Sequence, residues 1–82
     1  MFYVYILLSK KDNNLYIGST FNLKQRIFQH HNGLVDSTKN RLPVKIIYYE
    51  GFISKTDCLR EELFLKSGKG RGRLKELLKN SR

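Results

Sequence analysis

The stretch FYVYILLS at residues 2–9 is apolar on both sides of a strand. With a period of two, Phe2, Val4, Ile6 and Leu8 fall on one face, and Tyr3, Tyr5 and Leu7 on the other. A strand without a polar face belongs inside a sheet, covered above and below. Lys10-Lys11-Asp12-Asn13-Asn14 follows as a turn, and Leu15–Ser19 alternates again. The two runs predict an antiparallel hairpin with strands near 2–9 and 14–19.

Gly18 lets the backbone bend or approach a neighbour closely. Beyond it the period changes. Asn22 with Gln25 three residues later matches a capping box, so a helix is expected near 22–31, ending before Asn32-Gly33. Residues 33–43, GLVDSTKNRLP, read as a polar, basic loop, and Pro43 leads into a third strand near 44–50, VKIIYYE. Ser54-Lys55-Thr56-Asp57 repeats the capping pattern ahead of a helix near 55–66. A basic, glycine-rich hinge at 67–72 precedes a last helix near 72–80, which packs Leu74, Leu77 and Leu78 against the body. The order β-β-α-β-α-α specifies an α/β fold of the α+β type, a central three-stranded antiparallel sheet flanked by helices. A length of 82 residues suits one domain spanning 1–82.

Apolar residues at 40% and aromatics at 12% exclude a disordered tail. No apolar run is long enough to cross a membrane, and the N-terminus carries no secretory pattern, so a cytoplasmic protein is expected. Cys58, the one cysteine, excludes a disulfide framework and reads as a buried thiol. Sixteen Lys and Arg against seven Asp and Glu give a net charge of +9, a field that attracts polyanions. Nucleic acid is the leading partner, and an acidic membrane or protein surface the alternative. The basic clusters Lys39 with Arg41, and Lys69, Arg71 and Arg73, are the expected phosphate contacts.

Polar residues interrupt the apolar faces at a few positions. In the helix near 55–66, with Leu59 set at zero, Leu63 falls at about 40°, Cys58 at about −100° and Leu65 at about −120°. Glu62, at about −60°, lies inside that arc, whereas Glu61 points away. A carboxylate there needs a cation, a proton or a donor; it is either a rim residue paired with Lys66 or Lys55, or a metal ligand or catalytic group. In the first helix Arg26 and His30 flank the apolar stripe one turn apart, and His31 turns outward. Arg26 suits a phosphate clamp, and His30 is either a core-edge imidazole or a proton carrier. Tyr5 and Tyr16, on paired strands, are packing residues individually. Together these five side chains suit a phosphodiester.

The chain resembles the GIY-YIG nucleases. Val4-Tyr5-Ile6 stands for the first motif, with valine replacing the family's glycine, and Tyr16-Ile17-Gly18 for the second. Arg26 and His30 follow Tyr16 by ten and fourteen positions, as in the family, and Glu62 aligns with its metal-binding glutamate. Ser19 and Leu74 stand where the repair incision subunits carry lysine and asparagine. The resemblance implies a metal-dependent endonuclease acting on DNA, branched, damaged or single-stranded, with a recruiting protein. It implies Mg²⁺, or Mn²⁺, on Glu62, charge neutralisation by Arg26, and water activation by Tyr5 or Tyr16 with His30. The alternative is a non-catalytic nucleic-acid-binding module of a repair or recombination assembly.

Overall fold

The computed structural model describes residues 1–81. Three strands, β1 (Phe2–Ser9), β2 (Leu15–Thr20) and β3 (Val44–Phe52), form one antiparallel sheet in the order β2-β1-β3. The doubly apolar segment is therefore the middle strand. Val4, Ile6 and Leu7 are fully buried and Tyr5 is 1% exposed. β2 and β3 each leave one edge of the sheet unpaired.

Helix α1 (Leu23–His31) covers one face, where Leu23 and Ile27 pack with Tyr5, Leu7 and Val44. Helices α2 (Lys55–Lys66) and α3 (Arg71–Leu78) cover the other, where Cys58, Leu65, Leu74 and Leu77 pack around Val4. Both expected caps form: the Asn22 side chain accepts from the Gln25 amide at 3.1 Å, and Ser54 Oγ from that of Asp57 at 3.2 Å. Each satisfies an amide that the first turn leaves without an intrahelical partner.

Four expectations need correction. β3 continues to Phe52, because Gly51 and Phe52 pair with Tyr3 and Phe2. The segment expected as a hinge is ordered: a 3-10 turn at Gly68–Gly70 leads directly into α3, whose first residue is Arg71. The apolar arc of α2 centres on Cys58 and Leu65, leaving Leu59 42% and Leu63 70% exposed. The helix lies on the sheet through that narrower face. Glu61 does not point away into solvent either. It is half-buried, its carboxylate held by Arg73 of α3 at 2.8 Å, and it lies beside Glu50 of β3.

Candidate functional site

The hairpin sets Tyr5 opposite Gly18 and Leu7 opposite Tyr16, all on the α1 face. A Cβ at Gly18 would come within 2.5 Å of Tyr5 Oη, so the glycine makes the space that the hydroxyl occupies. That hydroxyl bonds His30 Nε2 at 2.8 Å, and His30 Nδ1 bonds Thr38 Oγ1 at 2.7 Å. His30 and Thr38 are fully buried. Burial first, and then the Arg26 charge, push the imidazole down to about 4, so it is neutral at pH 7. Burial likewise pushes the Tyr5 phenol up to about 12, against the pull of the neighbouring Arg26 guanidinium. A neutral imidazole presents one donor and one acceptor, so the row Tyr5–His30–Thr38 passes a proton in one direction at a time.

Tyr16 completes the ring cluster, 6.3 Å from the Tyr5 ring and 5.2 Å from that of His30. It is half-exposed, and its hydroxyl has no hydrogen-bond partner among the described residues. Arg26 is half-buried on α1 and donates to Gln29 Oε1 at 3.2 Å. No carboxylate pairs with it among the described residues. A phenol without a hydrogen-bond partner among the described residues and a guanidinium without a carboxylate partner among them thus lie beside the Tyr5–His30–Thr38 row.

Glu62 arrives from the opposite side. Ser19 pairs with Val4 and shares its α2 face, one residue beyond Gly18 on the α1 face. Ser19 Oγ donates to Glu62 Oε1 at 2.6 Å, and Lys66 Nζ to Oε2 at 2.7 Å. Burial raises the Glu62 carboxyl, but the hydrogen bonds from Lys66 and Ser19 outweigh it and hold the group below the usual carboxylate range. The negative charge is felt at Tyr5, whose phenol it helps to raise. The five residues therefore do not share one face of the sheet: Tyr5 and Tyr16, with Arg26 and His30 from α1, lie on one side, and Glu62 bonds Ser19 on the other.

An ionised carboxylate is a hard oxygen donor suited to a divalent cation whose remaining ligands are water and phosphate oxygens, and here such a cation would have to displace the Lys66 ammonium. Among the described residues no three His, Cys, Asp or Glu side chains cluster to hold a metal. Along the outer edge of β2 runs a groove of about 820 Å³ lined by Tyr16, Lys66, Ser67 and Arg71. Of the basic residues expected to contact phosphate, Arg41 pairs with Asp12 at 3.0 Å, Lys39 with Asp36 at 3.3 Å and Arg73 with Glu61 at 2.8 Å. Lys69 and Arg71 carry no ion pair among the described residues.

Thr38 and the Ser19–Glu62 bond escaped the sequence reading. Thr38 sits in a loop without periodicity, and a serine near a strand end carries no signal of its own. The rim pairing of Glu62 with Lys66 was one of the two readings that its helical position allowed.

The sequence matches the GIY-YIG catalytic domain family over residues 1–76. A UPF0213 protein of Pediococcus acidilactici is 38% identical, covering 96% of this chain and 83% of the relative. A UPF0213 protein of Clostridium perfringens is 45% identical over 80% of this chain and 71% of its own. The solution NMR structure of the UPF0213 protein from Bacillus halodurans is 33% identical, with a TM-score of 0.58 over 94% of this chain and 85% of that one.

Proposed function

The chain belongs to the GIY-YIG family, and from that premise we propose that it binds nucleic acid across the open edge of β2 and hydrolyses a phosphodiester there. The observation that carries this reading is the Glu62 carboxylate, ionised and held by Ser19, whose charge reaches the same Tyr5 phenol that His30 bonds and Arg26 neighbours. Glu62 would hold a divalent cation, Mg²⁺ or Mn²⁺, which would supply Lewis-acid stabilisation of the phosphate. Arg26 neutralises the charge that develops on the phosphoryl oxygens. Tyr16, the phenol left without a partner, orients the attacking water. Tyr5, locked to a neutral His30, keeps its proton and holds that imidazole in place beside Arg26. The groove beside β2, with Lys66 and Arg71, holds the flanking backbone through charge and without reading sequence.

One observation favours a second reading, a nucleic-acid-binding module without turnover. Both Glu62 oxygens are already engaged, by Ser19 and Lys66, and no further carboxylate or imidazole clusters with it among the described residues. The experiment that separates the two is single-turnover cleavage of single-stranded, branched and duplex DNA in Mg²⁺, with binding isotherms, for wild type and Glu62→Gln. The nuclease reading expects cleavage to fall by at least about 10²-fold, the scale of losing a principal electrostatic group, while affinity holds or tightens. Binding with no cleavage by wild type leaves the non-catalytic module.

A further inference from the structure

On the α1 side of the sheet, aromatic side chains lie on the surface and take no part in the constellation. Phe21, which leads from β2 into α1, is 67% exposed, and Tyr49 on β3 is 58% exposed. Tyr3 pairs with Thr20 and Tyr49 with Tyr5, so both tyrosines stand on the α1 face. Their rings meet edge to face at 6.3 Å. A groove of about 600 Å³ runs between the start of α1 and β3, lined by Tyr3, Phe21, Lys24 and Tyr49. A second hollow, of about 260 Å³, is lined by Ser19, Phe21, Lys55 and Leu59. Phe21 lines both. The two hollows open on opposite faces of the sheet, and the larger, running on the α1 face from Phe21 to the β3 tyrosines, forms a track of its own.

The occupant must match flat apolar rings, a flanking ammonium group and a molecule of net charge +9. A second copy of the chain brings the same positive charge and is repelled. A duplex offers phosphate, but its bases are stacked on one another inside the helix. An unpaired strand offers both: anionic phosphates for Lys24, and exposed base faces for the rings. We propose that this track seats an unpaired strand of the substrate, its bases stacked on Phe21, Tyr49 and Tyr3, which makes single-stranded nucleic acid or a single-stranded flap the preferred class. The inference rests on the nucleic-acid reading above and does not require turnover.

The test uses fluorescence anisotropy with a labelled single-stranded oligonucleotide and a duplex of equal length, at fixed salt. Phe21→Ala and Tyr49→Ala remove exposed rings and should leave the fold intact, checked by circular dichroism. Wild type should favour the single strand. Each substitution should weaken single-strand binding by about ten-fold, within the range for loss of one base–aromatic stack, and shift duplex binding by less than about two-fold. The conservative Phe21→Trp should retain single-strand affinity. The chain has no tryptophan of its own, so this indole is an isolated probe, and its emission should be quenched by the single strand and not by the duplex. Wild type that binds neither ligand overturns the nucleic-acid reading and this inference together. Wild type that binds while both alanine variants keep wild-type single-strand affinity overturns this inference alone. Equal losses on both ligands overturn it as well. So does a dimer, seen by light scattering, that the alanine variants dissolve, since the track would then seat a second copy.

Discussion

His30 is an uncharged imidazole at neutral pH, fully buried and bonded at both ring nitrogens. Its folded value of about 4 lies below the ordinary 6.5, so the unfolded chain takes up its proton first. The stability this neutral ring contributes is complete above about pH 6.5 and is lost as pH falls toward about 4, by roughly 3 kcal/mol. Urea unfolding at steps across that window should trace the loss in wild type, and His30→Gln should flatten the slope. The two tyrosines should separate in kind. Tyr16→Phe removes a hydroxyl with no hydrogen-bond partner among the described residues, so cleavage should fall by about 10²-fold with the unfolding midpoint unchanged. Tyr5→Phe leaves His30 Nε2 buried and unpaired, so both cleavage and stability should drop, the latter by about 1–3 kcal/mol. These residues were legible because polar types broke an apolar period: Glu62 within the α2 arc, and Arg26 and His30 along the α1 stripe. Thr38 was not, because contacts made by a loop leave no period to break. That Glu62 lies on the opposite face was also hidden, since strand and helix patterns specify a face locally and not which face of the common sheet each helix takes.

At the scale of elements, the strands and the first two helices lay close to where alternation and caps put them. The ends moved where tertiary pairing extended an element, as β3 does against the start of β1. The glycines before α3 looked alike in sequence and differ in place. A Cβ at Gly70 would strike the Phe64 carbonyl and come within 2.8 Å of Leu65 Cα, both of them backbone atoms of α2. At Gly72 a Cβ meets nothing within 4 Å, inside the first turn of α3. Gly70→Ala should therefore cost about 1–3 kcal/mol by overpacking, whereas Gly72→Ala should gain up to about 1 kcal/mol from helix propensity. Thermal unfolding of the two variants should move the midpoint in opposite directions. What sequence reads as a flexible hinge is a tight corner at one glycine and a replaceable position at another. Close approach to backbone, not composition, makes the difference.

For the whole molecule, a charge of +9 sets the scale of attraction to a polyanion. Three of the expected phosphate contacts are partly spent on Asp12, Asp36 and Glu61, whereas Arg71 lines the β2 groove without a carboxylate partner among the described residues. Arg71→Ala should weaken binding to all sequences alike and reduce the slope of log affinity against log salt by about 0.7–0.9, one phosphate contact. Lys39→Ala should change it less, because Asp36 is released as the lysine is removed. No described helix is long and apolar enough to cross a membrane. The open edges of β2 and β3 acquire a further meaning from this charge. An unpaired strand edge is a template for another chain, and like charge is what keeps identical molecules from meeting there. A polyanion cancels that repulsion while crowding its ligands together. The colloidal state of the protein should therefore depend on stoichiometry: clear alone, turbid near charge balance with a long nucleic acid, and clear again when the nucleic acid is in excess and each copy sits far from the next.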